Sequence, residues 1–367
     1  MMNNAERKVE LETIDPMFGP NQTAPAIVQS RLPALDGLRG LAVLEVFFYH
    51  ARMPKQNAGW IGVELFLALS GFVITRSLLS EWRRTQKIDL WGFMKRRIAR
   101  IYPALLFVFS AYLLVSILYF HYSTERLAIE LVPSLLAFAN WSRAYDYGMP
   151  RHFAHLWSVS IELQLYILWA PLVLLALATR RLKIVGLSLV AAAACLAYRY
   201  YIVSIPSSQN FVYNNLYARA TPFLLGGFVA ALPNIQWTKN LRFICSLIFI
   251  VALGYHLYEL KYCSLPHWAR RNLTPFLLDI CSAALVWGVS QNVIPVFSRF
   301  LSSRIIHYLG LISYGVFLWH YPVLTLFPRI GYSYRVIGAL ILSLVMGAIS
   351  FELIEKRYLS KTPKSSS

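Results

Sequence analysis

Ten apolar runs, each near the roughly 20 residues that carry an α-helix across a bilayer, occupy most of this 367-residue sequence. They fall at about 38–52, 60–80, 101–121, 156–178, 184–203, 216–232, 243–260, 273–290, 305–327 and 335–354. A segment surrounded by lipid must satisfy its own backbone polar groups, and at this length only a helix does so. Composition agrees: 57% of residues are hydrophobic and 14% charged, against about 25% charged in soluble domains. A water-soluble enzyme and a disordered chain are both excluded. The expected fold is all-α, a polytopic transmembrane bundle of about ten helices.

Lysine and arginine number 35 against 17 acids, a formal net charge of +18. These positives cluster between the apolar runs, so they serve topology and anionic lipid rather than nucleic acid. With the N-terminus inside, 22 basic residues fall on inner segments and 10 on outer ones. That excess puts both termini in the cytoplasm. A leftover apolar run at about 127–141 would reverse every later loop if it crossed. It is therefore expected as a re-entrant or surface-lying segment on the outer side, beside a cavity. Residues 1–30 carry no signal peptide and are expected to form a disordered cytoplasmic tail; 31–357 form the membrane domain, and 358–367 a short cytoplasmic C-terminal tail. Cys195, Cys245, Cys263 and Cys281 are scattered without ligand spacing, so neither a zinc site nor a disulfide framework is expected. No internal repeat is visible, which weighs against a transporter.

The first span reads RLPALDGLRGLAVLEVFFYH from Arg31 to His50. Arg39 and His50 are eleven residues apart, which puts them on one helix face and about 16 Å apart along the axis. Ionisable groups inside a span are costly and mark function by default. An arginine can meet phosphates bidentately, and an imidazole can serve as a base near neutral pH. The same spacing also fits an arginine that snorkels to headgroups and a histidine capped by a neighbouring helix. Asp36, three residues before Arg39, is placed to steady it; Glu45 faces another direction and should pair elsewhere.

The sequence resembles the acyltransferase-3 family of integral-membrane O-acyltransferases. The resemblance rests on LDGLRGLAVLEVFFYH (35–50), with the family's Arg-x10-His pair at Arg39 and His50, and on GVELFLALSGFVIT (62–75). It continues in FMKRRIARIYPALL (93–106), with the basic R-x-x-R element at Arg97 and Arg100, then HLWSVSIELQLYILW (155–169), ISYGVFLWHYPVL (312–324) and FELIEKR (351–357). Two positions depart from the family's pattern: Glu64 stands where Asp is usual, and Leu163 replaces a second acid after Glu162. Many relatives append an extracellular hydrolase-like domain; none is expected here.

The resemblance implies transfer of an acyl group, usually acetyl, from cytoplasmic acetyl-CoA or another acyl-CoA to a hydroxyl. The acceptor would be a lipid-linked or cell-surface glycan such as lipopolysaccharide or peptidoglycan. The enzyme would sit in the inner cell membrane, with acyl-CoA as a donor substrate and no bound cofactor. Arg39, Arg97 and Arg100 would bind the donor, with Lys95 and Arg96 at the same basic mouth. His50 would be the general base, since the sequence holds no serine nucleophile elbow, phosphate loop or metal signature; a covalent acyl-enzyme stays open. Glu162 is the second catalytic candidate, placed on the outer side to accept a sugar proton or orient a histidine. His155, seven residues before Glu162, falls on nearly the same face if one helix covers both. His155, His320 and Asp36 are candidate supporting residues. Trp157 reads as part of the interfacial aromatic belt, Glu64 and Glu352 as structurally paired, and Asp279 as intramembrane without an assigned role. The alternative is a transporter that moves a glycan or an acyl donor without covalent chemistry.

Overall fold

The computed structural model describes residues 32–52, 59–148, 150–179, 183–205, 209–233, 237–262, 273–326 and 331–359. The expected tail 1–30, most of the tail 358–367, and Arg180, Arg181 and Cys263 lie outside the described residues. All ten expected spans fall on helices: α1 (Pro33–His50), α2 (Ile61–Thr85), α3 (Leu90–Leu118), α6 (Trp157–Thr179), α7 (Ile184–Ser204), α10 (Thr221–Ala230), α11 (Lys239–Tyr262), α12 (Leu273–Ser290), α14 (Arg304–Leu326) and α15 (Tyr332–Ser350). Shorter helices lie between them: α4 (Thr124–Leu135), α5 (Ala139–Ala144), α8 (Gln209–Asn214), α9 (Leu216–Arg219) and α13 (Pro295–Leu301). A five-residue π-helical segment, Phe351–Glu355, and α16 (Lys356–Leu359) end the described chain.

Among the described residues, eight helical segments are long and apolar enough to cross a membrane, and the chain is a multi-pass membrane protein. The two expected spans outside that set differ for clear reasons. Asp36, Arg39 and Glu45 make α1 too polar, and α10 has only 10 residues. The segment expected to lie on a surface forms α4 and α5. At 12 and 6 residues, neither reaches across a bilayer core of about 30 Å.

The α1–α14 pair is the axis of the site. Gly40 faces Gly310 across it, and a Cβ at Gly310 would overlap the Asp36 carbonyl. Ten residues further along both helices, His50 meets His320. The constant offset means that α1 and α14 run parallel. A full crossing at 127–141, added to the other spans between them, would make them antiparallel.

Asp89 accepts a hydrogen bond from the Gly92 N–H at 2.9 Å and caps α3. This 29-residue helix is about 44 Å long. Arg97 and Arg100 therefore lie within its first three turns, whereas sequence reading placed them ahead of the span. The opposite correction applies to α6. It begins at Trp157, and a separate 3-10 turn, Ala154–Leu156, carries His155. His155 and Glu162 do not share one continuous α-helical face. Glu130 on α4 accepts the His152 N–H at 2.9 Å, and the His152 ring contacts Thr325 on α14 at 2.8 Å. The turn that presents His155 is thus fastened from two sides.

Candidate active site

Arg39 and His50 open into different cavities. Arg39 lines an open cavity of about 850 Å³, counted with the solvent at its mouth, together with Arg97, Arg100 and Glu162. His50 lines a smaller chamber of about 260 Å³ with His155, Trp157 and Tyr213. Val63 and Phe317 border both.

The arginine cavity is elongated. Its α2 wall consists of Val63, Phe66, Leu67, Ser70, Val73 and Ile74, a single helix face about 16 Å long. Three guanidinium groups line it against the one carboxylate of Glu162. Asp36 steadies Arg39 at 3.7 Å, as expected, and also faces His307 at 3.6 Å. The Arg97 guanidinium packs on the Phe93 ring at 5.3 Å, and its buried Nε has no hydrogen-bond partner among the described residues. Arg100 lies within Coulombic reach of Arg39 and of Glu355 in the π-helical segment. Lys95 and Arg96, expected at the same mouth, do not line the cavity. Arg96 pairs with Glu81 at 3.1 Å, and Lys95 sits over the Trp91 ring at 5.0 Å.

Glu162 joins the arginines rather than His50. It accepts hydrogen bonds from Ser70 Oγ at 2.6 Å and from the Tyr166 hydroxyl, and these two hydroxyls contact each other at 2.7 Å. The two residues expected to share the chemistry therefore stand on opposite sides of Val63 and Phe317. Tyr166 lies one helical turn beyond Glu162, and that spacing is the only sequence signal that could have found it.

His50 and His155 line the smaller chamber, and the fully buried His320 packs behind them. His320 Nδ1 lies 2.6 Å from the Phe317 carbonyl, which can only accept, so Nδ1 carries the proton and donates it. The neutral ring then leaves Nε2 as an acceptor, and His50 Nδ1 donates to it at 2.9 Å. That assignment leaves a lone pair on His50 Nε2. His155 packs its ring 4.9 Å from His320 and lies beside the Phe317 carbonyl. Tyr321 stands edge-on to His50 at 4.7 Å; its position next to His320 was its only mark in the sequence.

A buried charge cluster backs the chamber. Glu64 on α2 pairs with Arg219 on α9 at 2.6 Å, both almost fully buried. Arg199 on α7 and Asp279 on α12 lie within Coulombic reach. The Arg219 guanidinium lies 5.2 Å from the Trp157 ring and 4.8 Å from the Tyr213 ring. Trp157 is buried in this wall and does not belong to an aromatic belt. Glu352, in contrast, pairs with Lys356 on the exposed surface at 2.7 Å. Glu45 pairs elsewhere, as expected, with His256 of α11 at 3.1 Å.

The fold is thus a helical membrane bundle with an arginine-lined cavity and a histidine-lined chamber that share Val63 and Phe317 as a common wall. The acyltransferase domain family matches residues 32–354. The chain belongs to this acyltransferase-3 family. It is 29% identical over 349 residues to an O-acetyltransferase, OatA, of Staphylococcus aureus, covering 88% of this chain and 56% of that protein. A peptidoglycan O-acetyltransferase, OatA, of Listeria monocytogenes is 28% identical over 363 residues, covering 88% and 55%. A putative peptidoglycan O-acetyltransferase, YrhL, of Bacillus subtilis is 29% identical over 353 residues, covering 89% and 54%. The chain thus spans about half the length of these relatives. No solved structure matches it.

Proposed function

We propose that the protein transfers an acetyl group from acetyl-CoA, held in the arginine cavity, to a glycan hydroxyl in the histidine chamber. The observation that carries this reading is the pair of cavities meeting at Val63 and Phe317. The three guanidiniums suit the phosphates of the donor's nucleotide end. The long α2 face suits its thin arm, with the thioester presented at the far end. The basic excess on the loops supports an arginine cavity that faces the cytoplasm and a histidine chamber that faces the outer side. Relatives named for peptidoglycan make that polymer the first acceptor to test, ahead of lipopolysaccharide.

In the transfer step the acceptor oxygen attacks the thioester carbonyl carbon, and its proton passes to His50 Nε2. The tetrahedral intermediate collapses, the C–S bond breaks, and the proton returns to the departing CoA sulfur. His320 holds His50 in the tautomer that can accept this proton, and no bound cofactor or metal takes part. Glu162, tied to Ser70 and Tyr166, shapes the donor cavity and takes no proton from the acceptor.

The test is transfer of labelled acetyl from acetyl-CoA to peptidoglycan fragments across proteoliposomes. Wild type should attach label covalently. His50→Ala should lose the 10²–10⁴-fold that a positioned base contributes while still assembling in the membrane. Label that crosses the bilayer without becoming attached to glycan would instead identify a transporter.

A further inference from the structure

We propose, resting on the donor and acceptor sides assigned above, that Phe317 and Val63 form a neck that sets the length of the acyl group transferred. These are the two residues that line both cavities. Val63 stands near the start of α2 and Phe317 on α14, three residues before His320. Both side chains are nearly buried, at 6% exposure each, although each borders open space on two sides.

The Phe317 ring is held from several directions. It packs at 6.1 Å on Phe66 on the donor side, and at 5.1 Å on His155 and 5.5 Å on His320 on the chamber side. Its own carbonyl accepts the His320 Nδ1 proton. The ring is thus wedged between Phe66, His155 and His320, while the backbone carbonyl of the same residue holds the His320 tautomer.

The two spaces are very unequal. The donor side spans about 850 Å³ and the chamber about 260 Å³, each counted with the open solvent at its mouth. Rings wall most of the chamber: His50, His155, Trp60, Trp157, Tyr49 and Tyr213. A thioester brought to His50 must place its acyl group at or beyond the neck, in space that also admits the acceptor hydroxyl. Acetyl adds one methyl there. Each further methylene must enter a close-packed space, where overpacking is costly.

The experiment compares acetyl-, propionyl- and butyryl-CoA as donors for wild type, Phe317→Ala, Phe317→Leu and Val63→Ala in proteoliposomes. One methylene in a fitted pocket is worth roughly 10–200-fold in kcat/KM. Wild type should therefore disfavour butyryl-CoA by about tenfold or more. Phe317→Ala should raise the butyryl-to-acetyl ratio by about tenfold or more, whatever happens to the absolute rate. Phe317→Leu and Val63→Ala should shift it the same way by less, and they carry the comparison if Phe317→Ala does not assemble. An unchanged ratio in every assembled variant, or equal use of acetyl and butyryl donors by wild type, overturns the neck and leaves the transfer function standing. Absence of transfer from any acyl-CoA by wild type removes the transfer function, and the neck with it.

Discussion

His50 and Arg39 show how one helix face can serve two tasks. His50 meets its partner 270 residues away, its Nδ1 lying 2.9 Å from His320 Nε2, and the base role proposed for it depends on that contact. Arg39 gains its setting from Arg97, Arg100 and Glu162, all on other helices. Arg39→Lys tests whether its guanidinium fork matters. Lysine keeps the charge and can snorkel, but it cannot meet phosphate bidentately. The expected outcome is a raised KM for acetyl-CoA with the KM for the glycan fragment nearly unchanged, measured in reconstituted vesicles. Equal weakening for both substrates, or for neither, would take Arg39 out of donor binding.

At the scale of elements, α1, α2 and α14 carry most of the site, and two devices hold them. One is the close approach of α1 and α14 at Gly40 and Gly310, which sets the register that brings His50 to His320. The other is the buried pair of Glu64 on α2 with Arg219 on α9. Replacing one member of a buried ion pair leaves the other charge without compensation and costs roughly 3–5 kcal/mol. Glu64→Gln should therefore lower the unfolding midpoint in detergent markedly. The double replacement Glu64→Gln with Arg219→Met should cost much less, because no charge is left without its partner. A double variant no more stable than Glu64→Gln would mean that the Arg219 contacts with Trp157 and Tyr213, rather than the ion pair, hold this wall.

At the scale of the whole molecule, the basic excess on one set of loops is the ground for expecting both termini on the cytoplasmic side. Single cysteines placed at Lys87 and Tyr147 in a cysteine-free background should respond oppositely to an impermeant thiol reagent in whole cells. Tyr147→Cys should label and Lys87→Cys should be protected; the reverse pattern would invert the bundle.

Much of the architecture was legible in the sequence, because the cost of exposing backbone polar groups to lipid acts locally on each apolar run. That cost sufficed to mark ten helices; the excess of basic residues on one set of loops kept 127–141 from crossing, ionisable groups inside a span marked Arg39 and His50, and the family resemblance marked Arg97 and Arg100. Helical spacing showed that Glu45 would turn away from Arg39. Contacts between distant segments were not legible. Nothing local distinguishes a histidine that locks a tautomer from one that caps a helix, so His320 and His155 stood only as candidates. The separate 3-10 turn at His155 and the placement of Glu162 beside Ser70 and Tyr166 depend on how α6 docks against α2. The Glu64–Arg219 pair joins elements more than 150 residues apart. The length and apolarity of each run determined which segments become helices. Tertiary packing alone decided which inward faces meet, because in lipid that choice rests on close fit and polar pairing between helices rather than on hydrophobicity.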